Sequence, residues 1–104
     1  METILKMADE TVSCIYNGKD VNEHLIYENL MDSQNYFIST IVSIFKGNPK
    51  VEVIDYNDIK AFVGFNDKYF IITMNKNDDE INITINSYDN YLDARRFYRW
   101  LFSM

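Results

Sequence analysis

The sequence predicts an α+β fold: a two-layer domain with a four-stranded antiparallel β-meander, N-terminal helices and a C-terminal helix packed on one face. Three observations carry this. Residues 51 to 88 hold four short runs rich in Ile, Val, Phe and Tyr, separated by Asn- and Asp-rich breaks. The flanking segments space their apolar residues as helices do. Alternation within the runs then gathers most of the apolar residues on one side of a sheet. A chain of 104 residues, 47% hydrophobic and 15% aromatic, reads as one domain over residues 1–104. A domain of this size buries roughly 65% of its unfolded surface and needs no disulfide or metal to hold its core.

Taken in order, residues 2–16 are open to two readings. Ile4, Leu5, Ala8, Val12 and Ile15 fall at helical spacing, whereas Thr11 to Tyr16 alone has strand propensity. Helix is favoured, and Asn17-Gly18 ends the segment in either case. Asp20 and Glu23 have capping-box spacing, so a helix is expected over 21–31 and another over 34–46, or one long bent helix in their place. Gly47-Asn48-Pro49 stops it. The strands are expected at Val51–Ile54, Ile59–Phe65, Tyr69–Met74 and Ile81–Ser87. Asp89 or Asn90 caps a last helix whose stripe is Tyr91, Ala94, Tyr98, Leu101 and Phe102.

Strand register follows by arithmetic. With Asn66-Asp67 as a two-residue turn, Phe65 faces Lys68, Val63 faces Phe70 and Ala61 faces Ile72. With 75–80 as the next loop, Met74 faces Ile81, Ile72 faces Ile83 and Phe70 faces Ile85. Opposed residues share a face, so Ile59, Ala61, Val63, Phe65, Phe70, Ile72, Met74, Ile81, Ile83 and Ile85 point to one side. The other side carries Lys60, Gly64, Thr73, Asn82, Thr84 and Asn86, as a wet face should, but also Phe62, Tyr69 and Ile71. Those three apolar side chains call for a cover: a partner, a second copy of the chain in a homodimer, or residues 2–16.

No chemistry announces itself. One His and one Cys cannot supply a zinc site, and three Gly fall in no phosphate-loop spacing. Cys14 reads as a small buried residue and His24 as a solvated one, although the two have the residue types of a nucleophile and its base. The run Asn75 to Glu80 fails the calcium-loop pattern. No cofactor, metal or catalytic residue is expected, and the chain does not read as an enzyme. No stretch approaches 18 apolar residues and the start has no signal-peptide pattern, so no membrane is involved and a cytoplasmic location is expected.

Charge says more. The net charge of −6 disfavours direct nucleic-acid binding. In a meander, loops 55–58 and 75–80 lie at one end of the sheet, which gathers Asp55, Asp58, Asp78, Asp79 and Glu80 into a negative field that suits a basic partner surface. All three arginines, Arg95, Arg96 and Arg99, stand beside Tyr98 and Trp100. Helix capping and ion pairs account for them most simply, with an anion or protein contact as the alternative.

These features suggest a protein-binding module that docks on a larger host protein through Phe62, Tyr69 and Ile71 and the five carboxylates. Thirteen Ile, twelve Asn and seven Lys suggest AT-rich coding. In size, charge and layout the chain resembles small acidic anti-defence proteins, anti-CRISPR inhibitors among them, though no motif carries that likeness. It implies a phage or mobile-element inhibitor of a host nucleic-acid enzyme. The alternatives are an immunity protein or secretion chaperone binding a toxin or effector, and a small enzyme or nucleic-acid binder.

Overall fold

The computed structural model describes residues 2–18, 23–28, 34–77 and 80–101. The elements are α1 (Glu2–Asn17), β1 (Glu23–Glu28), α2 (Gln34–Lys46), β2 (Val51–Tyr56), β3 (Lys60–Phe65), β4 (Lys68–Asn77), β5 (Glu80–Tyr88) and α3 (Tyr91–Trp100). The strands form one antiparallel sheet in the order β1-β5-β4-β3-β2.

Residues 2–17 are helical because their buried positions, Ile4, Met7, Ala8, Thr11, Val12 and Ile15, repeat at three and four residues. Thr11 is the one polar member of that stripe, and its hydroxyl donates back to the Met7 carbonyl at 2.9 Å. Gly18 ends the helix with φ +62°, and its amide reaches the carbonyls of Cys14 and Ile15 at 3.2 and 3.3 Å. In α2, Phe37, Ile38, Ile41, Val42 and Phe45 make the matching stripe.

Within the expected helix over 21–31, the described residues Glu23–Glu28 form instead the strand β1, which makes the sheet five-stranded. It pairs with β5 from Glu23 opposite Ile85 to Glu28 opposite Glu80. Leu25 and Tyr27 pack toward the core while His24 and Ile26 are exposed. The adjacent Leu25 and Ile26 hid this alternation, since both scored as one helical face. A segment this short gains little as an isolated helix. As a strand it covers the otherwise open edge of β5.

The β3–β4 register is as expected, with Phe65 opposite Lys68, Val63 opposite Phe70 and Ala61 opposite Ile72. Asn66 and Asp67 both take positive φ, 56° and 63°, as the tight hairpin turn requires. The β4–β5 register differs by two residues. Met74 faces Ile83, Ile72 faces Ile85 and Phe70 faces Ser87. The strands run on to Asn77 opposite Glu80, so polar residues that read as a loop belong to a longer ladder. A slip of two leaves every side chain on its expected face, because the strand period is two. Eight of the ten inner-face residues sit in the main core, with Phe65 packed against it. Ile59 does not, as β3 begins after it and 36% of it is exposed.

The helices do not share one face. Helices α1 and α2 cover the inner side, and α3 packs on the other, over Phe62 and Ile71 through Ala94 and Tyr98. The domain therefore has three layers, α1–α2, sheet and α3. The apolar trio on the nominally wet face is what α3 packs against. Asn90 caps this helix, accepting from the amides of Leu92 and Asp93 at 2.8 and 3.3 Å. Phe102, the last member of the expected α3 stripe, lies outside the described residues.

Candidate functional site

A bulge in β2 shapes the ground beneath α3. Val53 faces Val63, but the register then shifts so that Asp55 faces Phe62. The extra residue lets Ile54 pack in the α3-side cluster while Asp55 also points to that side. The sequence predicts Asp55 in the loop 55–58 among the acidic residues. It lies instead in the edge strand, as a wall of a cleft of about 290 Å³ between β2 and α3. Ile54, Phe62, Tyr91, Arg95, Tyr98 and Arg99 complete the lining.

Aromatic rings make one side of this cleft. Tyr91 stacks on Phe62 with centroids 5.8 Å apart, and Tyr98 lies against Phe62 at 5.4 Å. The Tyr98 hydroxyl donates to Asp55, and burial, followed by the Asp55 charge and hydrogen bond, pushes its pKa up to about 12. Asp55 also accepts from the Tyr56 amide at 2.9 Å. Lys60, expected on a wet face, is instead buried under α3. Its Nζ donates to the carbonyls of Tyr98 at 2.5 Å and Leu101 at 2.9 Å and lies 4.2 Å from the Tyr98 ring centroid. A lysine from the sheet thus satisfies the C-terminal carbonyls of α3, where the helix dipole favours a cation.

The solvent side of α3 is unlike the rest of the chain. Leu92, Arg96 and Trp100 repeat at four residues, as do Tyr91, Arg95 and Arg99 beside them. Leu92 is 55% exposed and Trp100 63%. Among the described residues the ion pair formed is Lys68 with Asp89 at 3.8 Å, so the ion pairs expected of the arginines are not made there. A surface that combines Trp, Tyr and three Arg, none of them ion-paired among the described residues, has the composition of a protein-contact hot spot.

The residues read from sequence as a contact surface are separated. Phe62 and Ile71 are 1% and 0% exposed beneath α3, and Tyr69 is half-buried with its ring over Gly64. α3 covers Phe62 and Ile71, whereas α1 packs on the opposite face of the sheet. Asp58 and Glu80 remain exposed or half-exposed toward the expected end of the sheet, where Glu28 lies opposite Glu80. Asp78 and Asp79 lie outside the described residues.

Cys14 and His24 do not meet. The Cys14 thiol donates to Glu23 at 3.7 Å on the α1 side, while His24 contacts Asn82 at 3.1 Å on the other. Burial, and then the Glu23 charge, pushes the Cys14 pKa up, away from nucleophilic use. Among the described residues no three His, Cys, Asp or Glu gather as a metal would need, and no helix is long and apolar enough to cross a membrane. Comparison with family models, curated proteins and solved structures gives no match.

Of the cleft residues, Asp55 and Phe62 are expected from the sequence as contact residues, though of two separate patches, and Tyr91, Tyr98, Arg95 and Arg99 only as a helix stripe and an arginine cluster. The signal that separates them is the double four-residue repeat, Tyr91-Arg95-Arg99 beside Leu92-Arg96-Trp100. Ala94 and Tyr98, on the other side of the helix, face the sheet, and that packing is what turns the repeat outward.

Proposed function

We propose that this protein is a non-enzymatic binding module that docks on a larger protein through the outward side of α3. The observation that carries the reading is the exposure of Leu92 and Trp100 among Arg95, Arg96 and Arg99. Trp and Arg are the residue types that dominate binding energy at interfaces, and Leu92 extends the apolar part of the surface. The acidic end around Asp58 and Glu80 offers a second contact, suited to a basic region of the same partner. Size, acidity and AT-rich coding favour a phage or mobile-element inhibitor of a host nucleic-acid enzyme, acting in the host cytoplasm.

The test is affinity capture from host lysate with the full chain and with a Leu92→Asp, Trp100→Ala variant, followed by mass spectrometry. The expected result is a nuclease or polymerase held by the wild type and lost by the variant, whose activity the wild type inhibits. Capture of a toxin or effector would move the protein to the immunity proteins or secretion chaperones. Recovery of nucleic acid alone, dependent on the arginines, would replace the reading with a nucleic-acid binder.

A further inference from the structure

The cleft between the β2 bulge and α3 has its own chemistry. Arg95 and Arg99 stand one helical turn apart on its wall, about 6 Å along the axis, which is within the span of one carboxylate and its neighbouring residue. Neither is ion-paired among the described residues. The acidic residue of the lining, Asp55, is occupied by the Tyr98 hydroxyl and the Tyr56 amide. The cleft thus holds two guanidiniums against one carboxylate, an excess of one positive charge in a chain of net charge −6. Apolar surface from Ile54 and Tyr91 borders it.

We propose that this cleft receives a carboxylate side chain of an acidic peptide segment, with an adjacent apolar residue lying on Tyr91 and Ile54. The inference deepens the docking reading above and rests on it for the partner, but the cleft is testable alone. Charge selects the ligand. The excess of positive charge calls for an anion, which on an unmodified peptide segment is a carboxylate. The Arg pair suits it in shape as well, because a planar guanidinium binds a carboxylate through two parallel hydrogen bonds. An extended segment is favoured over a free acid because β2 is an edge strand, and among the described residues no strand pairs with its outer side.

The experiment titrates the full chain with an acetylated, amidated six-residue peptide of alternating glutamate and leucine, read by NMR at the arginine Nε–H and aromatic resonances. Saturable shifts are expected at Arg95, Arg99 and Tyr91. Replacing glutamate by glutamine in the peptide should abolish them. Arg95→Ala with Arg99→Ala should weaken binding about tenfold or more, since two charge-assisted contacts are lost. Lys6→Ala with Lys76→Ala, which removes the same charge elsewhere, should bind as the wild type does. Arg95→Lys with Arg99→Lys should weaken binding, and wild-type affinity there would overturn the forked contact. Tighter binding of inorganic phosphate or of a thymidine hexanucleotide at the same resonances would overturn the carboxylate assignment. If the peptide fails while an α3-dependent partner is still captured, the cleft inference falls and the docking reading stands. If the peptide binds but no partner depends on α3, the reverse holds.

Discussion

On one side of the sheet, seventeen buried apolar residues among those described, drawn from α1, α2, β3, β4 and β5, interlock in a single core. On the other side four do so, and a buried lysine and a tyrosine–carboxylate bond stand where more apolar surface would otherwise be. The first face is built as a two-helix lid on a sheet and leaves little to change. The second holds one short helix by Phe62, Ile71, Ala94 and Tyr98, and leaves its outer side to Arg, Leu and Trp. With docking proposed for the second face, stability and recognition would occupy opposite sides of one sheet, so substitutions should separate them.

The largest expected effects come from the heavy face. Phe37→Ala should cost about 3–5 kcal/mol and Ile83→Ala about 2–5 kcal/mol, because both side chains are fully buried in the main core. Denaturant midpoints check this. On the light face, Lys60→Met leaves the carbonyls of Tyr98 and Leu101 without their donor and should cost about 1–3 kcal/mol. Its signature is local. Amide exchange should speed up in α3 while α1 and α2 keep their protection, and uniform acceleration would join the two faces into one cooperative unit.

Much of this contrast was legible in the sequence, and where it was not the reason is physical. The inner face could be read because strand period two survives a register slip of two, as the β4–β5 pairing shows. β1 could not, because six residues with two adjacent apolar side chains fit either period. The trio Phe62, Tyr69 and Ile71 points to the outer face as its alternation requires, but nothing in that alternation names α3 as what packs on it. Periodicity assigns a helix its apolar stripe but not the layer it joins. Asp55 depended on the bulge at Ile54, which no local residue pattern announces.

Alkaline pH should sharpen the comparison on the light face. Tyr98 is raised from 10.0 to about 12, so its contribution is fully present below pH 10 and is lost as pH rises from there to about 12. The unfolded chain releases that proton first. Burial also pushes up Tyr88, and pushes up Tyr27 further with help from Glu10, so Tyr98→Phe should reduce the alkaline loss only in part. Thermal unfolding between pH 9 and pH 12 would show it. An identical alkaline profile in the variant would mean that neither burial nor Asp55 raises the Tyr98 hydroxyl in the folded chain. The smallest effect should come from Thr84→Ala, on the part of the outer face where side chains are half-exposed, at no more than about 0.5 kcal/mol.

The most direct test measures stability and capture together in the Leu92→Asp, Trp100→Ala variant. Both side chains are largely exposed, and an acidic residue near the start of α3 favours the helix dipole. The Trp100 ring lies 6.1 Å from that of Phe97, so the account predicts a loss of stability of no more than about 1.5 kcal/mol together with loss of the captured partner. Loss of stability by several kcal/mol, or full retention of the partner at wild-type stability, would contradict the division of the molecule into a face that folds and a face that binds.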